Sequence, residues 1–123
     1  MTSLLHKAYL VVILLYAVLI TALSLLPTTN TIDINIWDKA QHFGAYALFM
    51  ALVFPLANTH KQRIKYAAGI VIYGLLLEYG QQFSPGRDTS IQDGLANTLG
   101  VLSGYTLMLL ILTTYHRYKQ PKD

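Results

Sequence analysis

The chain has 123 residues, enough for one domain, of which 54% are hydrophobic and 12% charged, against roughly 25% charged in an ordinary soluble domain. Nine Lys and Arg with six Asp and Glu are too few to solvate the large surface of so small a soluble domain, so the bilayer is the expected solvent. There is no cysteine, which excludes disulfides, thiolate metal centres and cysteine nucleophiles.

A membrane helix needs about 20 mainly apolar residues. Tyr9–Leu26 carries no charge and ends at Pro27. It exceeds the ~7–15 apolar residues of a secretory signal and reads as a spanning helix. The connection "LPTTNTIDINIW" follows, with Ile32, Ile34, Ile36 and Trp37 expected at the membrane interface. Asp38–Ala57 is the second span, with Pro55 near its inner end, where a kink is tolerable. The basic connection "NTHKQRIKY" leads to the third span, Tyr66–Phe83, which contains Glu78. Ser84-Pro85-Gly86-Arg87 suits a type II turn, with Pro at its second position and Gly at its third. Ile91–Tyr115 is the fourth span and contains Asp93 and Asn97. No repeat, coiled coil or low-complexity segment interrupts this order, so residues 1–123 form one membrane domain.

Short-loop Lys and Arg set the orientation. Lys7, Lys61, Arg63, Lys65, Arg117, Lys119 and Lys122 fall on one side, against Lys39 and Arg87 on the other. The expected fold is an all-α membrane protein, a bundle of four transmembrane helices with both termini cytoplasmic, as in a multi-pass protein of the bacterial inner membrane. The basic residues are thereby explained as topology signals, and nucleic acid is not an expected partner.

The polar side chains converge at one depth. At 1.5 Å per residue, His42, Glu78 and Asn97 all lie within about 10 Å of the outer ends of their helices. Asp38, His42 and Tyr46 are four apart and share a helix face. Glu78, Gln81 and Gln82 follow the i, i+3, i+4 pattern, and Asp93, Asn97, Gly100 and Gly104 follow steps of four, three and four. The Gly100 and Gly104 pair permits close helix approach, either within the chain or in an oligomer. Interhelical hydrogen bonds alone would account for Gln81, Gln82 and Asn97, and a local ion pair for Arg87 and Asp88. Ionisable groups at membrane depth nevertheless mark functional sites by default.

"DKAQHFGAY" (Asp38 to Tyr46) followed by "GLLLEYGQQFSPGRDTSIQDGLANTLGVLSG" (Gly74 to Gly104) resembles the VanZ-like family of small membrane proteins. The resemblance rests on Asp38, Lys39, His42, Phe43 and Tyr46 in the first block. In the second it rests on Gly74, Glu78, Gln81, Phe83, Pro85, Arg87, Asp93, Asn97, Gly100 and Gly104. It implies four membrane helices with the motifs outside. The founding member is associated with teicoplanin resistance, which makes glycopeptide susceptibility one trait such a protein would affect. The resemblance brings no established reaction and no catalytic residues.

The candidate ligand-binding set is Asp38, Lys39, His42, Tyr46, Glu78, Gln81, Arg87, Asp93 and Asn97. The first expectation is a non-catalytic binding or accessory module at the outer leaflet. Its partners would be membrane lipids, a lipid-linked cell-wall precursor or a membrane protein. Asp38, Glu78, Asp88 and Asp93 outnumber Lys39 and Arg87, so a simple anion site needs internal pairing of the acids. The alternative is a membrane enzyme on a lipid head group, with His42 as general base, Asp38 or Glu78 orienting it and Arg87 stabilising negative charge. The acids also permit a divalent metal at His42, Glu78 and Asp93, but no dedicated ligand motif is present, and neither metal nor cofactor is expected. A monomeric transport pathway is disfavoured because the polar groups lie on one side of the midplane only. The orientation is tested by a reporter fused after Asp123, which should be active only in its cytoplasmic form; strong activity outside would invert the topology.

Overall fold

The computed structural model describes residues 3–27, 35–87 and 89–119, with side chains from residue 38 onward in the second stretch. It contains four helices: α1 (Ser3–Leu25), α2 (Asn35–Val53), α3 (His60–Gln81) and α4 (Ile91–Lys119). A short 3₁₀ turn, Phe54–Leu56, follows α2, and no strand occurs among the described residues. The interfacial placement expected for Ile32 and Ile34 lies outside the described residues, as do Asp88 and Lys122.

Local chemistry explains the boundaries. Pro27 has no N–H to continue α1, whose last backbone bond is from Leu26 N to the Ala22 carbonyl. Pro55 tightens the end of α2 into the 3₁₀ turn. Thr59 and Gln62 form a reciprocal capping box, so α3 begins at His60 rather than at the expected Tyr66 and carries the basic stretch in its first turns. Gly86 adopts φ 75° and Arg87 N bonds to the Ser84 carbonyl at 3.2 Å, as a type II turn requires. Ser90 starts α4: the Asp93 N–H donates to its hydroxyl at 3.3 Å.

Partner pairs fix the topology. Tyr9 donates to the Leu52 carbonyl and Tyr16 to the Ala45 carbonyl, so α1 and α2 run antiparallel. Thr21 meets Tyr73, and further along α1 Leu25 meets Gly80, so α1 and α3 run parallel. His42 meets Asn97, and further along Ala47 meets Gly104, so α2 and α4 also run parallel. The result is an up-down-up-down bundle. Ser3 and Lys119 lie at the same end as the connection between α2 and α3. That end gathers Lys7, Lys61, Arg63, Lys65, Arg117 and Lys119, while Lys39 and Arg87 lie at the other.

The most extensive pairing is α2 with α4. A Cβ on Gly100 would meet the Phe43 carbonyl and approach Ala47 N to 3.1 Å; one on Gly104 would meet the Ala47 carbonyl. The face that offered itself for association between chains is therefore filled within the chain by α2. A Cβ on Gly74 would stand 2.7 Å from the Tyr46 ring, so that glycine makes room for a buried tyrosine. Tyr46, Met50 and Val101 form the centre of the core with Phe49, Phe54 and Ile70, and α1 adds the buried Ile20, with Ile13, Tyr16 and Ala17 half-buried against it.

The outside is apolar. α1 leaves Leu4, Leu5, Leu14, Leu15, Val18 and Leu23 exposed, and α4 leaves Leu99, Leu102, Leu107 and Leu110 exposed. α1 and α4 are long and apolar enough to cross a membrane. α2 and α3 are not so by the same measure, because Asp38 and Lys39 dilute one and the stretch from His60 to Lys65 dilutes the other. The four helices expected are present among the described residues, and two of them qualify as spans on length and composition.

Replacing Gly100 by Leu should destabilise the bundle by about 1–3 kcal/mol, the usual range for overpacking. Leu107→Ala, at an exposed position, should stay within about 0.5 kcal/mol. Thermal unfolding of both variants in detergent checks this; equal melting would place Gly100 away from a close crossing.

Candidate functional site

The first turns of α2 and α4 stand side by side with the last turns of α3. A helix N-terminus favours negative charge, and Asp38 and Asp93 occupy the first turns of α2 and α4. One turn deeper, His42 and Asn97 face one another across the parallel pair. His42 Nδ1 lies 3.0 Å from Asn97 Oδ1, and Asn97 Nδ2 donates to Glu78 Oε1 at 3.3 Å. Glu78 Oε1 is also 3.6 Å from His42 Nδ1. Three helices are joined by this relay.

Its directions follow from chemistry. The Asn97 amide points its NH₂ at Glu78 and its oxygen, which can only accept, at His42. His42 must then donate from Nδ1, and Nε2 is directed toward Asp38, whose Oδ1 lies 3.9 Å away. Lys39 Nζ lies 4.0 Å from Asp93 Oδ1. Exposure falls along the chain of contacts, from Asp38 with half its side chain exposed to Glu78 and Asp93, both buried. Glu78 Oε2, Asp93 Oδ1 and Gln81 Nε2 are buried and have no hydrogen-bond partner.

Two cavities flank the layer. One of about 140 Å³ lies between α1 and α2 under the turn, with Asp38, Gln41, His42 and Arg87 on its polar side and Ile20 and Leu23 on its apolar side. The other, about 370 Å³, lies between α3 and α4 and is lined by Glu78, Gln82, Ser90 and Thr98 with apolar neighbours. Glu78 therefore reaches both the relay and the second cavity.

Each expected site residue has a place. Asp38, His42, Glu78, Asp93 and Asn97 meet in the layer, with Lys39 beside Asp93. Tyr46 packs on Gly74 and reaches the first cavity. Gln81 is buried, whereas Gln82 is exposed at the second cavity. Arg87 is on the cavity wall, but its guanidinium serves α1: Nη2 donates to the Leu23 carbonyl at 2.7 Å and Nε to the Leu26 carbonyl at 3.1 Å. Ser84 donates to the Leu25 carbonyl at 2.8 Å. The turn thus satisfies three of the open carbonyls at the end of α1.

The family model described as VanZ/LLP1 matches residues 8–112. The chain belongs to the VanZ/LLP1 family. No curated protein matches the chain. No solved structure matches it either. The VanZ/LLP1 match takes in α2 and α3 whole, most of α1 and α4, the turn and every residue of the relay.

Three contributions to this VanZ/LLP1 site were not foreseen. Gln41 lies three residues after Asp38, and helical spacing alone would have found it. Ser90 precedes Asp93 by the spacing of a helix cap, which is also readable. The apolar α1 wall, Ile20 and Leu23, carries no signal in the sequence because an apolar lipid-facing residue and an apolar cavity wall look alike.

The relay should behave as a unit. A double-mutant cycle with Asn97→Ala and Glu78→Gln, read by denaturant unfolding in micelles, should give a coupling of about 0.6 kcal/mol or more. Additive effects would mean that the two side chains stand apart.

Proposed function

We propose that this VanZ/LLP1 protein spans the inner membrane four times, with both termini cytoplasmic, and binds the anionic head group of a lipid at the outer leaflet. The basic end of the bundle supports the orientation. α2, with 19 residues, is about 28 Å long, close to the thickness of a bilayer core. Helices that carry ionisable groups inward span as part of a bundle, although they fall short on apolarity alone.

The cavity between α1 and α2 carries the functional reading. It is polar on one side and apolar on the other, as a site for the junction of head group and acyl or prenyl chain must be. Gln41 and Arg87 supply donors at its wall, and a guanidinium suits phosphate oxygens. Glu78 and Asp93 lie behind the wall, Glu78 bonded by Asn97 and Asp93 facing the Lys39 ammonium at 4.0 Å, so Asp38 is the carboxylate an anion would meet in this cavity, beside Gln41 and Arg87. A lipid-linked cell-wall precursor is the head-group bearer of this chemistry that the family resemblance favours, and altered teicoplanin susceptibility would follow from its capture.

A second reading, a membrane enzyme, draws on the alignment of Asp38, His42 and Asn97, which places an imidazole nitrogen at the cavity wall as a general base would require. Turnover of a bound lipid phosphate by the purified protein would favour it.

Binding is tested by native mass spectrometry of the protein from micelles containing phosphatidylglycerol or a polyprenyl phosphate. Wild type should retain the lipid. Arg87→Ala, which removes the guanidinium from the cavity wall, should weaken retention roughly tenfold, equivalent to about 1.4 kcal/mol. Full retention in Glu78→Gln, Arg87→Ala and Asp93→Asn alike would leave the layer a purely structural device.

A further inference from the structure

We propose that Asp38, His42 and Asp93 together hold one divalent cation of the Zn²⁺ or Mn²⁺ class at the inner wall of the cavity between α1 and α2. One oxygen of each aspartate and one ring nitrogen of His42 lie within 4.8 Å of one another. Metal bonds of about 2.0–2.2 Å require ligand atoms roughly 3.3 Å apart, so the widest separation must contract by about 1.5 Å. Asp38 can supply that movement, since half its side chain is exposed and it sits in the first turn of α2.

Two further observations point to a cation. Asp93 is more than nine-tenths buried, yet its Oδ1 has no hydrogen-bond partner, and the Lys39 ammonium stands 4.0 Å away, beyond hydrogen-bond reach. The second is the orientation of His42. Metal-binding imidazoles donate their other N–H to a fixed acceptor, which settles the tautomer and aims the lone pair. Asn97 Oδ1 is that acceptor at 3.0 Å, and Glu78 fixes Asn97 in turn. Nε2 is then directed at the Asp38 carboxylate 3.9 Å away, a gap that a cation held by both would fill.

This ligand set differs from the one the sequence offered. Glu78 lies on the Nδ1 side of the ring, 3.6 Å from that nitrogen, and orients rather than ligates; Asp38 takes its place. Two carboxylates and one imidazole leave coordination positions open to the cavity. An imidazole ligand favours Zn²⁺ or Mn²⁺ over Mg²⁺. The cation would also offset the excess of acids over Lys39 in the layer. The proposal stands apart from lipid binding, because metal alone tests it.

The full chain, purified with a tag that contains no histidine and stripped with a chelator, is titrated in detergent with Zn²⁺ and with Mn²⁺ by calorimetry and metal analysis. Wild type should bind one ion per chain and melt at a higher temperature when loaded. His42→Ala and Asp93→Asn should lose saturable binding. Asn97→Ala should keep one ion per chain with roughly 10–100-fold weaker affinity, as loss of an outer-shell partner predicts. His60→Ala, at the other end of the bundle, should bind as wild type. If Asp93→Asn does not fold, Asp38→Asn, altered at an exposed position, carries the same expectation as His42→Ala. Absence of saturable binding to wild type, or binding that survives both His42→Ala and Asp38→Asn, overturns the proposal and leaves Asp38 and His42 as an ion pair.

Discussion

Gly100 and Gly104 have no side chains, and the backbone of α2 occupies the space where side chains would stand. The carbonyls of Phe43 and Ala47 lie there, so two parallel helices meet backbone to backbone. In lipid, acyl chains are as apolar as leucine and there is little hydrophobic drive between helices, so such close packing is a main source of association. The approach also sets a register. With Ala47 against Gly104, His42 must face Asn97, and the first turns carrying Asp38, Lys39 and Asp93 come level. The polar layer is a consequence of this pairing.

The other helices are attached to the pair by different means. α3 contributes Glu78 to the relay and a glycine, Gly74, that accepts the Tyr46 ring. α1 packs Ile13, Tyr16, Ala17 and Ile20 on the core and is also held by hydroxyl groups. Tyr9 and Tyr16 donate to carbonyls of α2, and Tyr73 donates to the Ala17 carbonyl of α1 at 2.7 Å. Ser84 and Arg87 secure its outer end. The same turn that bonds α1 also lines the cavity between α1 and α2 through Arg87.

Much of this was legible in the sequence, because membrane helices leave few alternatives for polar residues. His42, Glu78 and Asn97 were expected at one depth, and the relay joins those three. The glycine spacing identified a close crossing, but sequence does not say whether a glycine face meets its own chain or another. α3 was placed six residues late because hydropathy was weighed above the capping box of Thr59 and Gln62, which is itself a readable signal. Arg87 was grouped with the acids by its position outside. Its attachment to the end of α1 depends on how a turn and a helix some sixty residues apart in sequence meet, and no local pattern encodes that. Likewise, Gln81 and Gln82 share the outer end of α3, and only the packing of that helix in the bundle decides that one is buried and the other exposed.

The contact between His42 and Asn97 is where helix pairing, relay and candidate site coincide. It is open to direct observation in a bilayer by solid-state NMR, using protein labelled with ¹⁵N-histidine and ¹³C-asparagine and His42 assigned by difference against His42→Gln. The structure requires a protonated Nδ1 on His42, a bond length from the Asn97 side-chain oxygen, and hence a through-space correlation between that nitrogen and the Asn97 amide carbon. A His42 ring protonated only at Nε2, with no correlation to Asn97, would contradict the register of α2 on α4 and the site that depends on it.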